Sequence, residues 1–374
     1  MAISRKEPDR VPLGFGIGLV GSSMVESIPN GRVYSDLCRY LDYEDRPEPI
    51  ISEFGNIVGN IDERILKKFG ADFRSISPDI LPPRMEADGS KTWDIMCGYK
   101  INRMGYYDEP YPFPFKNLTT KKDIENYNWP NPDDFDIAKG KREEARVMHE
   151  TTDYAIIATS WFKLFPFNGY AQLSGLDKWL MDMKLNPEFY FALADKFLEY
   201  GQTMDGKFLE AVGDYVDIVG MFDDLGGQNG LLMSHADYVK FIKPYNKQVI
   251  QGIKKYTDAK IVMHCCGSIY DVIPDLAEIG VDVTNPLQPL AHNMEPWRLK
   301  KDFENIISFW GGIDIQELLP RGTIKQVKEG VKRTIDTYAP GGGYILGTAH
   351  NIEPDTSPEN IVAMLEATLE YGHY

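Results

Sequence analysis

From about residue 150 to the C-terminus the chain repeats one pattern. A short apolar run rich in Ile, Val and aromatics is followed by a polar break, and then by ten or more residues with apolar positions at helical spacing. The runs are YAIIATS (154–160), YVDIVGMFDDL (215–225), AKIVMHCCG (259–267), VDVTNPLQ (281–288), IISFWGGID (306–314) and GYILGTAHN (343–351). Such alternation predicts βα units around a parallel sheet. Two further runs, VPLGFGI (11–17) and ADFRSIS (71–77), supply the strands that would close an eight-stranded barrel. A doubly wound sheet is the alternative, but no glycine fingerprint follows the first strand. The expected fold is therefore α/β, a (β/α)8 TIM-type barrel forming one domain over residues 1–374.

The first 150 residues break this rhythm. Residues 85–118 include KTWDIMCGYKINRMGYYDEPYPFPF, rich in Tyr, Trp, Phe and Pro with strand-like alternation. They read as a hairpin insertion lying over one mouth of the barrel. NYNWPNPDDFD (126–136) is a proline-punctuated connector.

Composition narrows the function classes. A formal charge of −16 repels phosphate backbones and anionic bilayers, which speaks against nucleic-acid and membrane partners. The four cysteines have no framework spacing, and adjacent Cys265 and Cys266 would form a strained bridge, so free thiols in a reducing compartment are expected. The N-terminal MAISRKEPDRVPLGFG carries charge where a signal peptide needs an apolar core, and no run reaches the length of a membrane span. A cytoplasmic location is the expectation.

In a barrel of this kind chemistry sits at the C-terminal strand ends. Five consecutive strands end in unusual polar residues: Asp223 and Asp224, His264 and Cys266, Asn285 and Gln288, Asp314, then His350 with Asn351. Strand alternation turns His264 and Cys266 to one face and Cys265 to the other. Thiolate and imidazole suit zinc, so His264 and Cys266 form a half-site; His350 is the best candidate for a third ligand. Buried structural thiols beside a packed histidine are the competing reading. The acidic pair Asp223-Asp224 is either a proton or substrate handle, or a cap or ion-pair partner. Trp161, Phe162, Phe165, Phe167 and Tyr170 follow a strand end and either line an apolar pocket or pack the core. His235, behind the N-cap Ser234, reads as a first-turn helix residue, and His149, His292 and His373 stand alone.

The stretches HCCGSIYDVIPDLAEIGVDVTNPLQP, FWGGID and AHNIEPDTSPENIVAML resemble the uroporphyrinogen decarboxylase superfamily, and the likeness runs from RKEPDRVPLGFG to the C-terminus. That resemblance implies the same eight-stranded barrel and two functional branches. True uroporphyrinogen decarboxylases are metal-free and carry an arginine-rich segment near the N-terminus that binds substrate carboxylates. Here the corresponding stretch reads GFGIGLVGSSMVESIPNGR, without such a segment. The other branch comprises corrinoid-dependent methyltransferases, which bind zinc through H-x-C and a later cysteine. His264 and Cys266 match the first two ligands, and His350 stands where the cysteine would be, with Asp224 as another candidate for the third ligand. The resemblance thus implies a zinc-dependent methyltransferase. It would move a methyl group between a small substrate, favoured as an aromatic methyl ether undergoing O-demethylation, and cobalamin-type cobalt on a partner corrinoid protein. In that chemistry Asp223 or Asp224 serves the leaving oxygen, and Gln288, Trp161, Tyr170 and Asn351 contact substrate. A zinc-free decarboxylase or lyase of a tetrapyrrole-like or other carboxylate is the alternative. The sequence leaves the methyl donor, the direction of transfer and any homo-oligomer open.

Overall fold

The structure, a computed structural model, describes residues 2–17, 23–27, 31–45, 48, 57–59, 61–79, 83–87, 90–104, 107–159 and 167–374. Seven parallel strands make one curled sheet: β1 (Phe73–Ile76), β2 (Ala155–Thr159), β3 (Ile218–Phe222), β4 (Lys260–His264), β5 (Val283–Leu287), β6 (Ser308–Ile313) and β7 (Tyr344–Thr348). Spatial order follows chain order from β1 to β7, as βα units require. Apolar residues occupy both faces because each face is covered. Phe73, Ile157, Ile218, Phe222, Val262, Val283, Trp310 and Ile345 fill the barrel interior, while Ile156, Val219, Ile261, Met263 and Phe309 pack against the surrounding helices.

The expected eighth strand closes the seam between β7 and β1 without forming a full ladder. The Leu346 amide donates to the Pro12 carbonyl at 2.9 Å, and the Gly14 amide donates to the Leu346 carbonyl at 2.9 Å. On the other side the Asp72 amide donates to the Leu13 carbonyl at 3.1 Å. Gly14 is required by close approach: a Cβ there would meet the Trp310 indole at 2.3 Å. Trp310 in turn stacks on Phe73 across the interior, with ring centroids 4.9 Å apart.

An aspartate precedes three of the strands and does the same work each time. Asp72 accepts from the Leu13 amide at 2.7 Å, Asp217 from the Ile156 amide at 2.9 Å, and Asp282 from the Ile261 amide at 2.9 Å. Each carboxylate satisfies an edge N–H of the preceding strand at the barrel's N-terminal end. This is the physical content of the A-D-F, V-D-I and V-D-V triplets in the sequence.

The insertion is larger than a hairpin. Arg84–Met85, Lys91–Trp93, Tyr99–Met104 and Tyr107–Pro110 form a four-stranded antiparallel sheet. It is anchored on the flank of the 26-residue helix Pro187–Val212. The Tyr200 hydroxyl donates to the Ile95 carbonyl at 2.7 Å, and Phe115 packs on Phe197 with centroids 5.5 Å apart. Among the described residues no helix is long and apolar enough to cross a membrane.

The seam should be sensitive to one side chain. Asp72 holds both the Leu13 amide and the Arg10 guanidinium, the latter at 2.6 and 2.9 Å. Asp72→Ala is expected to lower unfolding free energy in denaturant titration by about 1–3 kcal/mol, because a buried backbone donor loses its acceptor. Asp45→Ala, which breaks the solvated pair with Arg64, should cost no more than about 1 kcal/mol.

Candidate metal centre

The site assembles from strand register. His264 ends β4 and lies directly opposite Phe222 on β3 and Asn285 on β5. Its side chain therefore stands in the barrel mouth between an aromatic ring and an amide. The Phe222 and His264 ring centroids are 5.3 Å apart. The His264 Nδ1 lies 2.8 Å from Asn285 Oδ1. Cys266, two residues on, returns to the same face, and its Sγ is 3.4 Å from His264 Nε2. His350, from the turn after β7, brings its ring centroid to 5.6 Å from that of His264. One ligand atom from each of His264, Cys266 and His350 lies within 4.8 Å of the others. Three residues spaced over 86 positions of sequence thus converge on one point.

The turn carrying Cys266 is clamped from below and beside. Asp224 Oδ1 accepts from the Cys266 amide at 2.9 Å, and Gln288 Oε1 accepts from the Gly267 amide at 2.9 Å. The Ser268 amide donates to the Gly227 carbonyl at 2.8 Å. Gly267 sits at φ +81°, and a Cβ there would meet the Gly226 backbone at 2.5 Å, so only glycine lets the two loops close. Cys265 faces away as alternation requires; its Sγ is buried and accepts from the Leu225 amide at 3.3 Å.

Burial sets the protonation of the donors. Desolvation holds His264 below its ordinary range. His350 falls to about 4, through burial first and the neighbouring His264 second. Burial pushes the Cys266 thiol well up, helped by the Asp224 carboxylate. Both imidazoles are therefore neutral at pH 7 and offer a lone pair, whereas the thiol must shed its proton to a metal. The donor set N, N, S is one that zinc favours. Around a tetrahedral ion with ordinary Zn–N and Zn–S lengths, a nitrogen and a sulfur stand about 3.5 Å apart, close to the 3.4 Å found for His264 and Cys266. The residues present fit zinc.

The remaining sequence candidates separate. The two aspartates do not act as a pair. Asp224 faces the mouth, where its charge bears on His264, Cys266 and His350. Asp223 points the other way and is corrected as a catalytic candidate: it is buried behind β3, beside Asn246 of the covering helix. Alternation along the strand is the reason. Tyr170 is likewise corrected, because it is fully buried, stacks on Tyr190 and donates its hydroxyl to Asp182 at 2.8 Å; it packs the core and lines no mouth. Gln288 is at the site, with its carbonyl engaged on the Cys266 turn. Asn351 is buried beside His350, and its Oδ1 has no partner among the described residues. Asp314 caps the following turn, accepting from the amides of Gln316, Glu317 and Leu318. Trp161, Phe162 and Phe165 lie outside the described residues, as does the side chain of Phe167. Phe222 was not a candidate from sequence, although it sits two residues before Asp224 on the same face, a signal that alternation could have supplied. Asn285 was visible as a strand-end polar residue, but its pairing with His264 follows only from register.

Comparison with known proteins gives the family and the fold. Residues 106–371 match the family "Uroporphyrinogen decarboxylase (URO-D)", and the chain belongs to that family. A uroporphyrinogen decarboxylase from Geobacter metallireducens is 27% identical over 181 residues, covering 48% of each chain. A methylated-thiol–coenzyme M methyltransferase from Methanosarcina mazei is 24% identical over 205 residues, covering 55% of this chain and 51% of its own. The chain thus aligns over about half the length of the curated relatives it matches. Among solved structures, a methyltransferase from Methanosarcina mazei superposes with a TM-score of 0.67 over 99% of this chain and 96% of that one, at 17% identity. That likeness shows a shared barrel fold.

The orientation of Asp223 has a measurable consequence. Its pKa is raised by burial, so the native state holds a proton that the unfolded chain releases above about pH 4. Stability from this group is present below the unfolded pKa and declines as pH rises towards the folded value. Asp223→Asn is expected to raise stability at pH 8 by about 1–3 kcal/mol and to flatten the decline between pH 4 and 8, read by denaturant melts across that range.

Proposed function

We propose that this chain is a zinc-dependent methyltransferase that exchanges a methyl group between a small methylated substrate and the cobalt of a corrinoid protein. An aromatic methyl ether is the favoured substrate. The observation that carries the reading is the convergence of His264, Cys266 and His350 donor atoms within 4.8 Å at the C-terminal mouth of a barrel, where this fold places its chemistry. Similarity to a methylated-thiol–coenzyme M methyltransferase supports the methyltransferase class.

His264, Cys266 and His350 would hold the ion, leaving a fourth position to substrate. Zinc there supplies Lewis acidity to the heteroatom that carries or receives the methyl group. The protein's own part is to place and protonate. The Phe222 ring, 5.3 Å from the His264 ring, offers an apolar wall for an aromatic substrate. The Asp224 carboxylate bears on all three donors, and one of its oxygens is already fixed on the Cys266 amide. It can give a proton to a departing phenolate or alkoxide, or take one from an incoming acceptor. Gln288 and Asn351 supply amides at the same rim.

Metal content of purified protein tests the reading. About one zinc per chain is expected in wild type and its loss in both His264→Ala and Cys266→Ala, with methyl transfer from methoxylated aromatics to Co(I) corrinoid following the metal. A zinc-free wild type would overturn the proposal and leave a metal-free decarboxylase as the better account. Asp224→Asn keeps an acceptor for the Cys266 amide, so it should retain zinc while lowering the transfer rate by about 10²–10⁴-fold, the range for loss of a general acid.

A further inference from the structure

The hydrogen bond behind His264 has a role that neither sequence nor relatives assign. We propose that Asn285 is a positioning residue that locks the His264 ring in its Nδ1–H tautomer, so that the Nε2 lone pair faces Cys266 and His350. The inference rests on reading His264 as a metal ligand, but its core is a property of the protein without metal.

Three observations carry it. An imidazole that offers a lone pair to a metal keeps a single N–H, so the ring must choose which nitrogen bears the proton. Nδ1 stands 2.8 Å from Asn285 Oδ1, whereas Nε2 stands 3.4 Å from the Cys266 sulfur. The amide oxygen is much the stronger acceptor and takes the proton side.

The second observation fixes which end of the amide faces the ring. Asn285 Nδ2 points at the Trp310 carbonyl oxygen, 3.5 Å away. If the amide were turned over, Oδ1 would face that carbonyl, two acceptors together, and Nδ2 would meet the ring nitrogen as a donor. The arrangement found satisfies both ends.

The third is rigidity. Asn285 is fully buried, lies in register beside His264 on the adjacent strand, and its own carbonyl accepts from the Cys265 amide at 2.6 Å. One residue thus holds the histidine from its side chain and the H-x-C backbone from its main chain. Ring orientation and tautomer are set before any ion arrives, which removes that ordering cost from metal binding. Because the partner is an amide and not a carboxylate, it does this without adding a negative charge beside Asp224 and the Cys266 thiol.

The test uses wild type, Asn285→Leu and Asn285→Asp, with two readouts. Nitrogen-15 correlation spectra of zinc-free protein report the His264 tautomer directly. The Nδ1–H form is expected in wild type and Asn285→Asp, and its loss in Asn285→Leu. Zinc affinity by chelator competition is expected to fall about 10–100-fold in Asn285→Leu and to stay within a few-fold of wild type in Asn285→Asp, where the acceptor is retained. An Nε2–H tautomer in wild type would overturn the inference, as would Asn285→Leu with unchanged tautomer and affinity. If Asn285→Leu does not fold, the wild-type and Asn285→Asp spectra still decide. If wild type binds no zinc but shows the Nδ1–H form, the functional reading fails and the tautomer lock stands.

Discussion

Everything at the mouth depends on the register of one strand. A parallel ladder assigns each residue of β4 a fixed neighbour on either side, and for His264 those neighbours are Phe222 and Asn285. A slip of one residue would send His264 and Cys266 to the helix-facing side and present Cys265 and Met263 instead. The apolar residues of β4 oppose that slip: Val262 fills the interior, and Ile261, Met263 and Cys265 pack outward. The core therefore pins the position of the donors, and the donors need no interaction of their own to be placed.

Burial then decides charge. The same desolvation that keeps both histidines neutral also keeps the Cys266 thiol protonated, so the mouth stores ligands in their uncharged forms. A divalent ion reverses that balance at the sulfur, since a positive charge is what a buried thiolate lacks. Asp224 and Asp223 show how far one residue of alternation matters. The first is partly exposed, anchored to the Cys266 amide and turned to the donors. The second is sealed behind the sheet beside Asn246. Adjacent letters in the sequence occupy different chemical worlds.

The glycines and aspartates at the strand ends divide the labour between the barrel's two faces. At the N-terminal end Asp72, Asp217 and Asp282 cap strand amides and serve stability. At the C-terminal end Gly226 and Gly267 let two loops close against one another, which carries Cys266 back over His264. Stability and chemistry are thus kept at opposite ends of the same strands.

Read alone, the sequence already determined the barrel, because apolar runs alternating with amphipathic helices have few ways to bury both faces of a parallel sheet. It also determined that His264 and Cys266 share a face, since that follows from the two-residue period of a strand. Local periodicity does not reach further. It does not say that Asn285 stands beside His264, that His350 closes in from the turn after β7, or that Asp223 is withdrawn while Asp224 is offered. Tyr170 looked like a pocket wall because an aromatic run after a strand end fits lining and core equally well; only packing against Tyr190 and Asp182 separates the two. Those relations join residues from 12 to 86 positions apart. They are set by sheet closure and inter-strand register, which exist only once the chain is folded.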